Sequence, residues 1–247
     1  MSGPRRVLIT GATSAIARAL ADRLAARGDR IVLAARDDEE AGRTANDLRL
    51  SRGAEVFAIR FDAEEVGAGK RVVETAAETL GGLDGVYVVH GAMWPQEDAE
   101  RDPTLAARMA VINLASPAEI LHAAADRVPD KTGFLCAVSS VAGDRGRPSN
   151  FAYGAGKAGL DALCHGLRGR LLGRGVRVTL VKPGFVDTAM TWGLSGMFLV
   201  APPERVAASI DRAAVRGKAV VYTPFFWRWI MLIIRLIPRP VFDRLGM

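Results

Sequence analysis

Short aliphatic runs return along this chain at a steady interval, each followed by an alanine-rich stretch with helical periodicity: "RRVLIT", "RIVLAAR" and "VYVVH" are three of them. Strands that alternate with amphipathic helices favour a parallel α/β sheet. No internal repeat, low-complexity tract or linker interrupts the rhythm. At 247 residues and 49% hydrophobic content the chain can bury a sizeable core, so one domain is expected over residues 1–223, with residues 224–247 as a tail.

The 33 basic and 27 acidic residues leave a formal charge of +6. No groove-reading motif appears and the aromatics do not interleave with a basic stripe, so nucleic acid is not an expected partner. Cys136 and Cys164 lack the paired spacing of a zinc site and read as buried small hydrophobes; no metal is expected. The opening "MSGPRRVLIT" has an apolar run too short for a signal peptide, so a cytoplasmic protein is expected.

Two segments carry chemistry. In "VLITGATSAIARALADRLAARGDRIVLAAR" a strand passes through a turn of small residues into a helix. Such a turn aims backbone N–H groups and the positive helix end at an anion, as dinucleotide sites do. Ala15 and Ala17 stand where the glycine fingerprint has glycines. In "SSVAGDRGRPSNFAYGAGKAGLDAL", Tyr153 and Lys157 are four residues apart and share a helix face. An ammonium beside a phenol favours the phenolate, so Lys157 is expected to pull the Tyr153 pKa downward. Ser140 lies thirteen residues before Tyr153, at the end of an apolar strand, with Ser139 as the adjacent alternative.

The turn Thr10-Gly11-Ala12-Thr13-Ser14-Ala15-Ile16-Ala17, together with the Ser140, Tyr153, Lys157 spacing, resembles the short-chain dehydrogenase/reductase superfamily. The resemblance implies a Rossmann-type doubly wound sheet of about seven strands, a homodimer or homotetramer, and a nicotinamide cofactor. It gives Ser140 the orientation of a substrate carbonyl, Tyr153 the role of general acid, and Lys157 both the tuning of Tyr153 and the nicotinamide ribose. Asn113 would hold a proton-relay water. Thr10, Gly11, Thr13, Ser14, Ala15 and Ile16 would line the pyrophosphate, Asp62 and Ala63 the adenine, and Pro183, Gly184, Val186 and Thr188 the nicotinamide amide. Ala35 leaves the ribose-binding acid position empty, and Arg36 beside it suits a 2′-phosphate, so NADP(H) is preferred with NAD(H) possible. The acidic run Asp37 to Glu40 weighs against that preference unless it belongs to a helix start. Val89-His90-Gly91-Ala92 replaces the superfamily's Asn-Asn-Ala-Gly, and His90 reads as a hydrogen-bonding wall of the cofactor pocket. The intact Asn113, Ser140, Tyr153 and Lys157 set argues against a regulator without turnover.

A narrower likeness rests on "VVHGAM", "KPGFVDTAMT" and "VVYTPFFWRWIMLIIRLIPR". These look like the bacterial decaprenylphosphoryl 2-keto-pentose reductases, which implies a ketone substrate in the form of a keto-sugar on a polyprenyl phosphate and a flavin oxidase partner. Reduction of a soluble ketone or acyl substrate is the alternative. Residues 191–203, "TWGLSGMFLVAPP", fall where that family has its substrate lid, and Trp192, Leu194, Met197, Phe198 and Leu199 make the segment apolar. From Phe225 to Ile237 a helix would be about 20 Å long, too short for a bilayer core of about 30 Å. Arg228, Arg235 and Arg239 would share one face of it, with Trp227, Trp229, Ile230, Ile233, Ile234 and Ile237 on the others. That is the pattern of a helix lying in a membrane interface, peripheral to the cytoplasmic membrane; packing into a neighbouring subunit is the other reading.

Overall fold

The computed structural model describes residues 3–192 and 198–245. β1 (Arg6–Thr10), α1 (Ala15–Ala25), β2 (Arg30–Ala35), α2 (Asp38–Arg52), β3 (Val56–Arg60), α3 (Ala68–Leu80) and β4 (Gly85–Val88) build the first half. α4 (Gln96–Arg101), α5 (Pro103–Ala110), a turn of π-helix (Val111–Ala115) and α6 (Ser116–Ala125) lead to β5 (Phe134–Val138) and α7 (Phe151–Leu171). β6 (Arg177–Pro183), α8 (Pro203–Arg216), β7 (Val220–Thr223), α9 (Trp227–Leu236) and α10 (Arg239–Leu245) complete the chain.

One seven-stranded sheet runs in the order β3-β2-β1-β4-β5-β6-β7, and every neighbouring pair is parallel. The doubly wound sheet expected from the alternating pattern is therefore the fold observed. Helices cover both faces. Ala17, Leu20 and Leu24 of α1 pack with α2 and α8 on one face, while Val72 of α3, Ile120 of α6 and Leu160 of α7 pack on the other. Cys136 and Cys164 are buried free thiols within these two cores. Strand order reverses between β1 and β4, and a crevice at the strands' carboxyl ends is the usual ligand position in such sheets.

The tail departs from the expected single helix. Pro238 cannot continue α9 and holds Ile237 extended, at φ −62° and ψ 125°, so a second helix starts at Arg239. Arg239 therefore does not share a helix face with Arg228 and Arg235. Nor is Trp227 on an outer face. It is buried in its own subunit with Met231 and Val141, and its ring lies 5.6 Å from Phe185 and 5.4 Å from Phe198. Arg145 fastens the far end of α9: its Nη1 donates to the carbonyls of Ile234 at 2.6 Å and Ile237 at 2.7 Å, and its guanidinium lies 3.7 Å over the Phe242 ring. These are carbonyls a helix end leaves without intrahelical partners, and a cation there also meets the negative end of the helix dipole.

Because Trp227 fills this small cluster, Trp227→Ala is expected to lower unfolding free energy by about 3–5 kcal/mol, the usual cost of emptying a large aromatic site. Urea denaturation measures it. A loss below about 1 kcal/mol, the range of ordinary surface substitutions, would show that the tail is not part of the folded core.

Candidate active site

The β1–α1 turn is shaped by contact with the end of β4. Gly11 has φ +71°, and a Cβ there would lie 2.7 Å from the backbone N and Cα of His90. Both the conformation and the close approach require glycine. Ser14 caps α1, its hydroxyl accepting from the Ala17 amide at 3.2 Å. Thr13, Ser14, Ala15 and Ile16 are half-buried along the turn, whereas Ala17 is buried in the core. The extra methyl at Ala17 thus fills helix–sheet packing rather than the anion cradle. This small-residue cradle at a helix N-terminus fits a pyrophosphate.

His90 is buried among protein partners. Its Nδ1 is 2.7 Å from Thr10 Oγ1 and its Nε2 3.3 Å from Ser116 Oγ, with Phe61 edge-on at 5.3 Å. Burial, aided by the charge of Lys157, pulls its pKa down to about 3. It is neutral at physiological pH and ties β1, β4 and α6 together. Gly91 follows because a Cβ there would stand 2.8 Å from Asn113 Oδ1 and 3.1 Å from Lys157 Nζ.

Asn113 lies in the π-helical turn, fully buried. Its Nδ2 donates to the carbonyls of Ala92 at 2.8 Å and Met109 at 2.9 Å, and its Oδ1 accepts from the Ala92 amide at 3.3 Å. Tyr153 and Lys157 occupy one face of α7, both buried, with the ammonium 5.6 Å from the phenol ring centroid. Lys157 Nζ donates to the Val138 carbonyl at 3.1 Å, which pins α7 to the end of β5. Ser140 follows that strand, and its hydroxyl acts on the Tyr153 phenol, opposing the effect of burial there. Its Oγ also accepts from the Ala142 amide at 3.1 Å. Ser139, the adjacent alternative to Ser140, points elsewhere, its hydroxyl donating to Asp161 Oδ1 at 2.7 Å and lying 3.2 Å from the Lys157 carbonyl.

The electrostatics correct one expectation. Lys157 does not pull the Tyr153 pKa below its ordinary value in this form of the protein. Burial pushes it up to about 12 against the opposing hydrogen bond from Ser140. Burial also brings Lys157 down to about 8, with Asp161 opposing. A phenol that keeps its proton at neutral pH is suited to donate it.

On the adenine side, Arg36 is 71% exposed and its ion pair, to Glu64, is long at 3.9 Å. Glu64 is held instead by Arg108, at 2.6 and 2.9 Å. The acidic run beside Arg36 is engaged elsewhere: Asp37 caps α2 by accepting from the Glu40 amide at 2.9 Å, and Glu40 pairs with Arg18 and Arg43. Asp62 stabilises the turn after β3, accepting from the Glu64 amide at 3.0 Å, with half-buried Ala63 beside it.

After β6, Pro183 is the last strand residue, and Gly184 is demanded by the tail: a Cβ there would lie 1.9 Å from Trp227 Nε1. Val186 turns its side chain into the core and bridges to Ala201, so only its backbone is left for a ligand. Thr188 receives support from Thr191, whose Oγ1 accepts from the Thr188 amide at 3.3 Å. Leu194 and Met197 of the lid lie outside the described residues. A groove of about 1060 Å³ between α1, α2 and α8 includes none of Ser140, Tyr153 or Lys157 in its lining and is not the reaction site.

The sequence reading passed over the tail as a wall of this site. Arg145 and Arg147 lie in the loop that follows Ser140, and both reach α9, Arg147 Nη2 lying 3.3 Å from Met231 Sδ. No local pattern signals these contacts, which join residues more than eighty positions apart.

Comparison with known proteins agrees with this geometry. A family model described as "short chain dehydrogenase" matches residues 5–197. An uncharacterized oxidoreductase of Mycobacterium tuberculosis is 37% identical over 245 residues, covering 99% of this chain and 98% of that one. A short chain dehydrogenase from Burkholderia cenocepacia, solved in complex with NADP, has a TM-score of 0.82 at 24% identity, covering 89% of this chain and 96% of that chain. Another from Burkholderia phymatum, solved with NAD, has a TM-score of 0.82 at 22% identity, covering 94% of both chains. The half-buried Ser140 and the buried Tyr153 and Lys157 beside the end of β5 thus sit in a matching sequence as well as a matching fold, and the chain belongs to the short-chain dehydrogenase family.

Proposed function

We propose that this protein reduces a ketone with NADPH, Tyr153 giving the proton to the carbonyl oxygen. The observation that carries the reading is the burial of Tyr153 and Lys157 on one face of α7, with Ser140 at the end of β5 acting on the phenol. Bound nicotinamide supplies the hydride. Ser140 and Tyr153 hydrogen-bond the carbonyl oxygen and orient it. Tyr153 transfers its proton as negative charge develops there, and Lys157 stabilises the phenolate left behind. Lys157 also holds the nicotinamide ribose, while Asn113 supports a relay that returns the proton to Tyr153. Both NADP and NAD occur in the structural neighbours. Arg36 favours NADPH here, since the acids next to it are already engaged by a helix cap and by Arg18 and Arg43.

A soluble ketone or acyl compound is the broader substrate reading, and family membership supports it. The narrower reading is a keto-sugar on a polyprenyl phosphate, made by a flavin oxidase. Its support is the apolar surface around the site: Trp192, Phe198, Leu199, Trp229, Ile233 and Leu236 are all exposed, and Phe198 rests on Trp227 at the root of α9. Arg228, Arg235, Arg239 and Arg244 flank this surface, exposed, with Asp243 the one acid of the described tail. An anionic membrane fits such a face. A twofold contact between copies would set arginines against arginines.

Tyr153→Phe is expected to lower kcat by about 10²–10⁴-fold, the contribution of a general acid, while NADPH affinity stays nearly unchanged in a fluorescence titration. Retention of more than about a tenth of activity would remove Tyr153 from that role. Arg36→Ala should weaken NADPH by about ten-fold or more and NADH little, as one charge-assisted contact is lost. Equal weakening of both would show that Arg36 does not read the 2′-phosphate.

The two substrate readings separate in one assay: detergent-dispersed polyprenyl-phosphoryl keto-sugar against a panel of soluble ketones. Turnover of the lipid-linked ketone alone supports the narrower reading; turnover of the panel alone leaves the broader one. Full-length protein is expected to sediment with anionic vesicles, and a Leu232→Gln, Ile233→Gln, Leu236→Gln variant to remain in solution. Wild-type protein left in the supernatant at low salt, as a stable oligomer, would make the face a subunit contact.

A further inference from the structure

Behind Lys157 lies a charged cluster that the proposed reaction does not use. Lys182, at the end of β6, forms ion pairs with both Asp144 and Asp161. Asp144 belongs to the loop after Ser140, and its Oδ2 accepts from the Tyr222 hydroxyl of β7 at 2.8 Å. Asp161 lies one turn beyond Lys157 on α7, and its Oδ1 accepts from Ser139 Oγ at 2.7 Å. The same hydroxyl lies 3.2 Å from the Lys157 carbonyl. The side chains of Lys182 and Asp144 are 8% and 2% exposed, and that of Asp161 19%. Four segments are joined in this way: the β5–α7 connection, α7, β6 and β7.

The charge count is uneven. Two carboxylates share one ammonium in direct ion pairs, and Arg147 acts on Asp144 from beyond ion-pair distance, so Asp161 is the carboxylate that lacks a second cation on its own side. Buried charge without compensation is costly, and removing one partner of a buried pair costs several kcal/mol. The nearest further cation on the same helix face is Lys157. The groups around its ammonium and stem are the Val138 carbonyl, the Tyr153 phenol, Asn113 Oδ1 across Gly91, and His90, which is neutral. None of them carries a compensating negative charge.

We propose that Asp161, held by Lys182 and Ser139, is the counter-charge of Lys157 and a positioning residue for the reaction. Asp144 completes the cluster on its far side, where it fixes the loop that carries Ser140. The electrostatics agree in direction: Asp161 raises the Lys157 pKa against the larger effect of burial. Asp161 is itself shifted upward by burial, against Lys182 and Ser139. The inference rests on the carbonyl-reductase reading for its consequence, but not for its electrostatics.

The test compares Asp161→Asn with Asp144→Asn in the full-length protein. Without the Asp161 charge, Lys157 loses its proton at lower pH. The alkaline fall of kcat for ketone reduction should then move down by about one pH unit, a loss of about ten-fold at fixed pH on that limb. Asp144→Asn should lower stability without moving the limb, since its carboxylate faces Tyr222 and Lys182. A second readout needs no substrate. The Lys157 pKa of about 8 lies below the ordinary lysine value of 10.5, so the unfolded chain binds more protons between those limits and stability rises with pH across that window. In Asp161→Asn the rise in urea midpoint should begin at lower pH, and this difference in the pH of onset should vanish when both proteins also carry Lys157→Met, leaving only the pH-independent loss from the broken Lys182 pair. An unmoved alkaline limb, an equal shift in Asp144→Asn, or an onset difference that persists with Lys157→Met would overturn the proposal. If no ketone is turned over, the midpoint comparison still decides it.

Discussion

A buried ammonium must find partners inside the protein, and the placing of Lys157 sets much of the rest of the site. Its Nζ reaches the Val138 carbonyl, so α7 is pinned to the end of β5, next to the strand-order reversal. With α7 fixed there, Tyr153 meets Ser140, Gly91 has to be small, and Asn113 closes against Ala92. His90 does for the sheet what Lys157 does for the helix: between Thr10 and Ser116 it links β1, β4 and α6 without carrying charge. Burial that raises the Tyr153 pKa to about 12 and lowers that of Lys157 to about 8 moves the two groups apart in proton affinity, so the phenol keeps its proton until the carbonyl oxygen draws it.

What could be read from the sequence follows from how local each signal is. Tyr153 and Lys157 are four apart on one helix, and Ser140 ends an apolar strand, so spacing alone put them together. Strand and helix alternation likewise gave the doubly wound sheet. Long-range choices were not legible. Gly184 looked like a cofactor glycine, yet its missing Cβ is the space that Trp227 occupies. Trp227 looked like a surface anchor, yet it is the buried root of α9. The aliphatic run of the tail is apolar nearly all round, and such a run does not say which face turns inward until the loop with Arg145 and Arg147 is known. The Lys157 effect on Tyr153 was misjudged for another reason: proximity was visible in the spacing, but depth of burial was not.

The tail and the catalytic loop are one unit in physical terms. Arg145 satisfies the C-terminal carbonyls of α9, Trp227 and Met231 pack beneath it on Val141, and Phe198 rests against the Trp227 ring. Any displacement of α9 would therefore be felt by the loop that holds Ser140.

The most direct measurement follows the hydrogen itself. NADPH carrying deuterium at the reactive C4 position, incubated with the wild-type protein and an accepted ketone, should yield an alcohol with a single deuterium on the carbinol carbon, while the hydroxyl hydrogen comes from solvent through Tyr153. Alcohol formed without the label on carbon, or label lost to water, would contradict direct hydride transfer at this site and with it the assignment of Ser140, Tyr153 and Lys157.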